Sequence, residues 1–174
     1  MVASLPFISN EGKESGVQDV SLFFRLKLAE VNINDVKNAI IDVFPKRNKS
    51  IIDNLVHMIL FDALIGNNDR HYYNWGVIKH IKNKHEPYFS PVYDTARGLF
   101  WNYSDNFIVD LHNKQSDPNN KKLEKYVLRS SPKISSPENA NCNHFELIEF
   151  LKNNKYIGNN HKKIWSNKES LQKA

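Results

Sequence analysis

One segment, residues 51–65, constrains the fold of this chain more than any other. On a helix, the polar residues Ser50, Asp53, Asn54 and His57 fall on one narrow arc, and apolar residues cover nearly all of the remaining circumference. Such a helix must be buried among other elements, so we expect it at the centre of the domain. Asn48 or Ser50 is expected to cap its start. Gly66 is expected to end it, because glycine readily adopts the left-handed conformation that follows a helix.

The rest of the chain is predicted to be mainly helical with one hairpin. Apolar spacing predicts a helix that begins at Asn32 or Asn34 and ends at Pro45. It also predicts four other helices, over 20–31, 121–128, 143–151 and 162–171. Two strands are predicted over 75–81 and 87–93 around a turn at 82–85, with Pro87 and Pro91 favouring an edge position for the second. Trp75 and Trp101 are expected in the core.

These elements predict a single mainly α (α+β) domain over residues 1–174. Residues 9–19 are predicted to form a polar loop within a flexible start. The domain is divided into that start at 1–19, a core at 20–128, a connector rich in Pro and Ser at 129–142, and C-terminal helices at 143–174.

Composition excludes several classes of protein. Hydrophobic residues make up 40% and charged residues 25% of the chain, which is typical of globular domains. No apolar run approaches the ~20 residues that cross a bilayer, and no secretory signal is visible, so a membrane protein is not expected. Cys142 is the only cysteine, which excludes an internal disulfide and a cysteine-based zinc site. The expected compartment is the reducing cytoplasm.

The charge is concentrated in the last third of the chain. Residues 121–174 carry 11 basic and 5 acidic side chains, against 13 and 14 in residues 1–120. Lys121, Lys122 and Lys125 are predicted to form one solvated helix face, and no DNA-binding motif accompanies them, so direct nucleic-acid binding is not expected. His80, His85 and His112 are expected to be exposed strand or turn residues rather than metal ligands.

Three polar residues follow the apolar helix in an order that suits phosphoryl transfer. Asp69 and Asn74 lie in the loop after it, and Asp94 ends the hairpin that comes next. Because a hairpin brings its ends together, Asp94 is expected beside Asn74. Transfer from ATP needs one carboxylate for the attacking hydroxyl, and an amide oxygen with a second carboxylate to hold Mg²⁺. The same order of elements, a helix followed by an Asp-x-x-x-x-Asn loop, a hairpin and an Asp, is found in the C-terminal lobe of protein kinases.

The same residues carry a family resemblance. Two segments resemble the catalytic and metal-binding segments of HipA-type serine/threonine kinases, which are bacterial toxin components. They are Leu-Ile-Gly-Asn-Asn-Asp-Arg-His-Tyr-Tyr-Asn-Trp-Gly at 64–76 and Ser-Pro-Val-Tyr-Asp at 90–94. The Asp-Arg-His-x-x-Asn string is also similar to the catalytic loop of phosphatidylinositol kinases. The resemblance implies Asp69 as catalytic base, and Asn74 and Asp94 as ligands of Mg²⁺ on ATP. It places Arg70 and His71 in the catalytic loop, where they shape the loop or stand near the phosphates.

The resemblance covers a C-terminal lobe. Kinases of this family also have an N-terminal lobe with a phosphate-covering loop and a strand lysine, and the first fifty residues here show neither. That lobe is expected to be absent, supplied by a separate chain, or lost through gene decay. The partners that the resemblance implies are a protein substrate bearing a Ser or Thr hydroxyl and a DNA-binding antitoxin. Two functions remain open: an ATP- and Mg²⁺-dependent phosphotransferase lobe, and a non-catalytic kinase-like binding or regulatory module.

Overall fold

The computed structural model describes residues 15–18, 32–71, 74–80, 85–114, 121–158 and 161. The predicted helices at 20–31 and 162–171 lie outside these described residues. In chain order the elements are β1 (Ser15–Gln18), α1 (Ile33–Val43), α2 (Asn48–Ile65), β2 (Val77–His80), β3 (Tyr88–Phe89), α3 (Asp105–Asn113), α4 (Lys122–Arg129) and α5 (His144–Asn153). The predicted mainly helical class with a small hairpin is confirmed.

The central position of α2 is confirmed by the burial of its side chains. Ile51, Leu55 and Met58 on α2 pack in one core with residues of α1, α5 and β2. Gly66 ends the helix with φ 65°, as predicted. The expected caps were wrong: Arg47 occupies the N-cap position without a side-chain hydrogen bond. Asn48 instead lies inside the first turn and donates to the Pro45 carbonyl at 2.8 Å. No described helix is both long and apolar enough to span a membrane.

The hairpin that follows α2 forms the centre and one edge of a small sheet. β2 pairs antiparallel with β3, Val77 opposite Phe89, and β3 has only two residues, as expected from its flanking prolines. On its other side β2 pairs with β1. The prediction of a loop over 9–19 was therefore wrong at residues 15–18. Strand pairing uses backbone groups, so this short polar stretch carried no side-chain pattern that would reveal it.

Two predicted helix starts are confirmed in detail, and one helix was missed. Asn32 caps α1 by accepting from two backbone N–H groups. Asn143 caps α5 in a reciprocal pair with Glu146. The sequence predicted no element over 105–113, where Ser104 caps α3. Trp75 is buried, whereas Trp101 is half exposed, so its expected core position was wrong.

Candidate active site

The loop after α2 folds on hydrogen bonds made by its own residues. The Asp69 carbonyl accepts from the His71 backbone N–H at 2.8 Å and from the Asn74 side-chain amide at 2.9 Å. The Asn74 backbone N–H donates to the His71 carbonyl at 2.9 Å. Asp69 and Asn74, five residues apart, are therefore held together in one compact turn.

A buried ion pair fixes this loop to α2. The Arg70 side chain is 2% exposed. Its guanidinium donates from Nε to Asp62 Oδ2 at 2.8 Å and from Nη2 to Asp62 Oδ1 at 2.9 Å. Asp62 Oδ1 also accepts from the Asn67 side-chain amide at 2.9 Å. Both oxygens of this buried carboxylate are thus hydrogen-bonded, which is what makes a buried charge tolerable.

The same guanidinium also joins the loop to the hairpin. Arg70 Nη1 donates to the Asn74 carbonyl at 2.6 Å and to the Tyr93 carbonyl. Because both carbonyls contact one nitrogen atom, the residue preceding Asp94 lies next to Asn74. This is the proximity expected from the hairpin.

Arg70 and His71 occupy different surroundings in the loop. The burial of Arg70 and its bonds to Asp62, Asn74 and Tyr93 support the first of the two roles that the resemblance offered, that of shaping the loop. His71 is half-buried, and its backbone N–H and carbonyl both take part in the turn. Arg70 is therefore a positioning residue in this structure.

Asn74 and Asp94 present oxygen atoms suited to a hard cation. Asn74 is buried, and its Nδ2 group donates to the Asp69 carbonyl, so Oδ1 is the atom of this amide with the chemistry of a ligand. Asp94 is exposed, and its carboxylate forms no ion pair with any residue in the described ranges. Mg²⁺ takes few protein oxygens and keeps waters and phosphate oxygens, so this donor pair fits it. Larger sets of three or more His, Cys, Asp or Glu ligands are absent from the described residues.

The carboxylate of Asp69 is paired with an arginine that the sequence did not single out. Arg97 Nε lies 3.2 Å from Asp69 Oδ2, and the same guanidinium lies 5.2 Å from the ring centroid of Trp101. The turn that carries Arg97 is anchored on the end of α2, because the Leu99 N–H donates to the Ile65 carbonyl at 2.7 Å. Gly98 packs closely on the same residue, since a Cβ atom there would lie 2.9 Å from the Ile65 side chain and 3.2 Å from its carbonyl oxygen.

The base of the loop rests on residues far along the chain. His144 Nε2 donates to the Asn67 carbonyl at 2.9 Å, which fixes the proton on Nε2 because a carbonyl only accepts. Ser130 Oγ donates to the Gly66 carbonyl at 3.0 Å. Sequence reasoning missed both of these residues, and it missed Asp62. The available signal was Asp62 itself, a lone carboxylate in the last apolar turn of α2.

Burial of His144 predicts a pH dependence of stability. Burial lowers the pKa of His144 from its ordinary value of 6.5, and it outweighs the opposing effects of the Asn67 hydrogen bond and the Asp62 charge. As the pH falls below 6.5, the unfolded chain binds a proton that the folded chain does not. Stability therefore falls, with a slope of up to about 1.4 kcal/mol per pH unit from this group.

The measurement is urea unfolding of the wild type and of His144→Gln between neutral pH and about pH 5. Glutamine retains an N–H donor for the Asn67 carbonyl but does not titrate. We expect the wild type to lose more stability on acidification than the variant does. Parallel losses in both proteins would contradict the assignment, because every other histidine is present in both.

The fold of this chain is similar to that of a kinase of known structure. The Helicobacter pylori proinflammatory kinase CtkA superposes with a TM-score of 0.63 at 20% sequence identity. The match covers 80% of this chain and 51% of that kinase. The chain has a kinase-like fold. No protein-family model matches the sequence, and no curated protein matches it either.

The similarity to this kinase concerns the fold and about half of the kinase's length. At 20% identity the superposition shows the fold alone. The chain spans about half of the length of the kinase that it matches. The narrower assignment to HipA-type kinases, and the roles of Asp69, Asn74 and Asp94, remain predictions.

Proposed function

We propose that this chain is the catalytic lobe of an ATP- and Mg²⁺-dependent phosphotransferase that acts on a Ser or Thr hydroxyl of a protein. One observation carries the proposal. Arg70 Nη1 donates to the backbone carbonyls of Asn74 and Tyr93, so the backbone of Asn74 lies next to the residue that precedes Asp94, which supports these two side chains as the ligand pair. Asp69 projects from the same turn with its side chain 20% exposed, so it is accessible to a substrate.

Each residue has a distinct task in this proposal. Asp69 orients the attacking hydroxyl and accepts its proton. Asn74 and Asp94 hold the ion, which supplies positive charge to the phosphate oxygens. Arg70 touches none of the reacting groups and keeps the three residues in register through buried hydrogen bonds. We further propose that a nucleotide-covering lobe completes the site and that a separate chain can supply it.

The alternative is a non-catalytic kinase-like module. One observation favours it: the carboxylate of Asp69 is already paired with Arg97. The Oδ2 atom held by Arg97 is not open to an attacking hydroxyl, so under the catalytic hypothesis either Oδ1 contacts the substrate or Arg97 moves away when substrate binds.

The ligand assignment predicts the effect of Asp94→Asn. Asp94 has φ 52°, a left-handed conformation that asparagine also tolerates, so the variant should fold normally. In the wild-type chain we expect Mn²⁺, a paramagnetic substitute for Mg²⁺, to broaden the NMR signals of Asn74 and Asp94. The variant should lose this broadening, and phosphoryl transfer with an added nucleotide lobe should fall by about 10²-fold or more.

The control is Asp105→Asn, which removes an exposed carboxylate at the start of α3. It should leave the broadening at residues 74 and 94 unchanged. If Mn²⁺ leaves both signals unaffected in the wild type, and no transfer occurs with any nucleotide lobe, the non-catalytic module is the better description.

A further inference from the structure

Three cations line one face of α4. Lys121, Lys125 and Arg129 are spaced four residues apart, so they lie on the same side of the helix. All three are exposed, and none forms an ion pair with another described residue. Their neighbour Lys122 differs, because its ammonium contacts Asp110 at 2.9 Å. We call Lys121, Lys125 and Arg129 the basic face.

Tyr126 fixes the basic face beside the candidate active site. Its ring centroid lies 4.1 Å from that of Phe100, and its hydroxyl accepts from the Phe100 N–H at 3.1 Å. A Cβ atom on Gly66 would lie 3.0 Å from the same hydroxyl. The helix therefore contacts both the start of the Asp69 loop and the segment that follows Asp94.

Apolar side chains are exposed on the same two elements, the segment after Asp94 and α4. Leu99 is 69%, Leu128 53% and Trp101 50% exposed. Leu99 and Phe100 have φ of 50° and 62°, which is unfavourable for residues other than glycine. The backbone bonds of Leu99 to Ile65 and of Phe100 to Tyr126 hold this conformation. A backbone held in this way presents Leu99 to solvent.

We propose that the basic face, together with Leu99 and Leu128, binds an acidic segment of the protein substrate, with carboxylates placed around an apolar residue. The inference rests on the proposed function for the identity of that partner. The charge supports it, because residues 121–129 contain four basic residues and one acidic residue, Glu124. Complementary charge steers a partner and fixes its register, and the apolar residues add buried area.

A single-stranded nucleic acid is the other polyanion to consider. Such ligands are bound by aromatic side chains that stack on bases, together with a positive groove. Trp101, an exposed aromatic ring in the segment after Asp94, already carries the Arg97 guanidinium against one face. Leu99 and Leu128 are aliphatic and offer no stacking surface. The surface therefore suits an acidic peptide better than it suits a nucleic acid.

The test uses the full chain and a fluorescent peptide in which glutamates flank one serine and one leucine. Fluorescence anisotropy should show salt-sensitive binding, and the matched peptide with glutamines should bind about ten-fold more weakly or less. Replacing Lys121, Lys125 and Arg129 together with glutamine should cause a similar loss. Lys152→Gln, an exposed position on α5, is the control and should bind like the wild type. Circular dichroism verifies that each variant is folded.

Three results would overturn the proposal. They are equal binding of the two peptides, equal binding by the basic-face variant, and preferential binding of a single-stranded oligonucleotide that depends on the basic face. Binding is measured without ATP, so it is independent of the chemistry. Peptide binding without any phosphoryl transfer would leave the basic face as a docking surface and would remove the proposed catalytic function.

Discussion

Asp69→Asn will remove most of the phosphoryl transfer while the chain stays folded. Asp69 lies in a polar loop and is partly exposed, and its ion-pair partner Arg97 is half exposed, so stability should change by only about 0.5 kcal/mol. Help from a general base contributes typically ~10²–10⁴-fold to the rate. The measurement is transfer of labelled phosphate from ATP, made with whichever chain completes the nucleotide site, beside the melting temperature of each variant.

Leu60→Ala is the opposite control for that experiment. Leu60 is fully buried on α2, and truncating it should cost roughly 2–5 kcal/mol of stability. Any loss of transfer should then follow the loss of folded protein. If Asp69→Asn transfers phosphate at the wild-type rate and remains folded, Asp69 is not the base, and the catalytic assignment is wrong.

Arg70→Ala should be the most destabilising single change in the candidate site. It leaves the Asp62 carboxylate buried without its cation, and removing one partner of a buried ion pair costs about 3–5 kcal/mol. It also removes the donor shared by the Asn74 and Tyr93 carbonyls. Urea unfolding gives the change in stability, and the NMR signals of Asn74 and Asp94 report whether the two segments separate.

The double variant Asp62→Leu/Arg70→Met separates two effects of Arg70, its pairing with the buried Asp62 charge and its hydrogen bonds to the Asn74 and Tyr93 carbonyls. Replacing both members of a buried pair with apolar residues is often nearly neutral for stability, so part of the lost free energy of unfolding should return. The signals of Asn74 and Asp94 should remain displaced, because neither new side chain donates to the carbonyls. A change below about 1 kcal/mol for Arg70→Ala would show that the pair is less important than its burial indicates.

Side-chain periodicity explains which parts of the fold were predictable. The position of α2, its end at Gly66, the caps at Asn32 and Asn143, and the hairpin all follow from patterns within a few neighbouring residues. β1 was not predictable in that way, because a four-residue strand depends on a partner about sixty positions away. The same holds for α3, a short helix with only Leu111 fully buried.

In the candidate site, too, the residues that could be predicted are those that belong to a local sequence pattern. Asp69, Asn74 and Asp94 were predicted from the sequence because their order along the chain matches what phosphoryl transfer requires. The residues that support them were not found. Asp62 was hidden within an apolar helix, and His144 reaches Asn67 across 77 positions. Arg97 became visible only when the turn before α3 brought it to Asp69. Such contacts arise from tertiary packing and leave no local pattern.

Arg70 Nη1 donates to two carbonyls, and this sharing affects the thermodynamics of cation binding at the proposed site. The backbone at Asn74 and at the residue before Asp94 is held by a buried group of the protein itself. In the proposed cation site this backbone is preorganised, so we expect little conformational entropy to be lost on binding. The heat of binding would then reflect dehydration and charge rather than the ordering of a loop. Amide exchange in the loop would be slow before any cation is added.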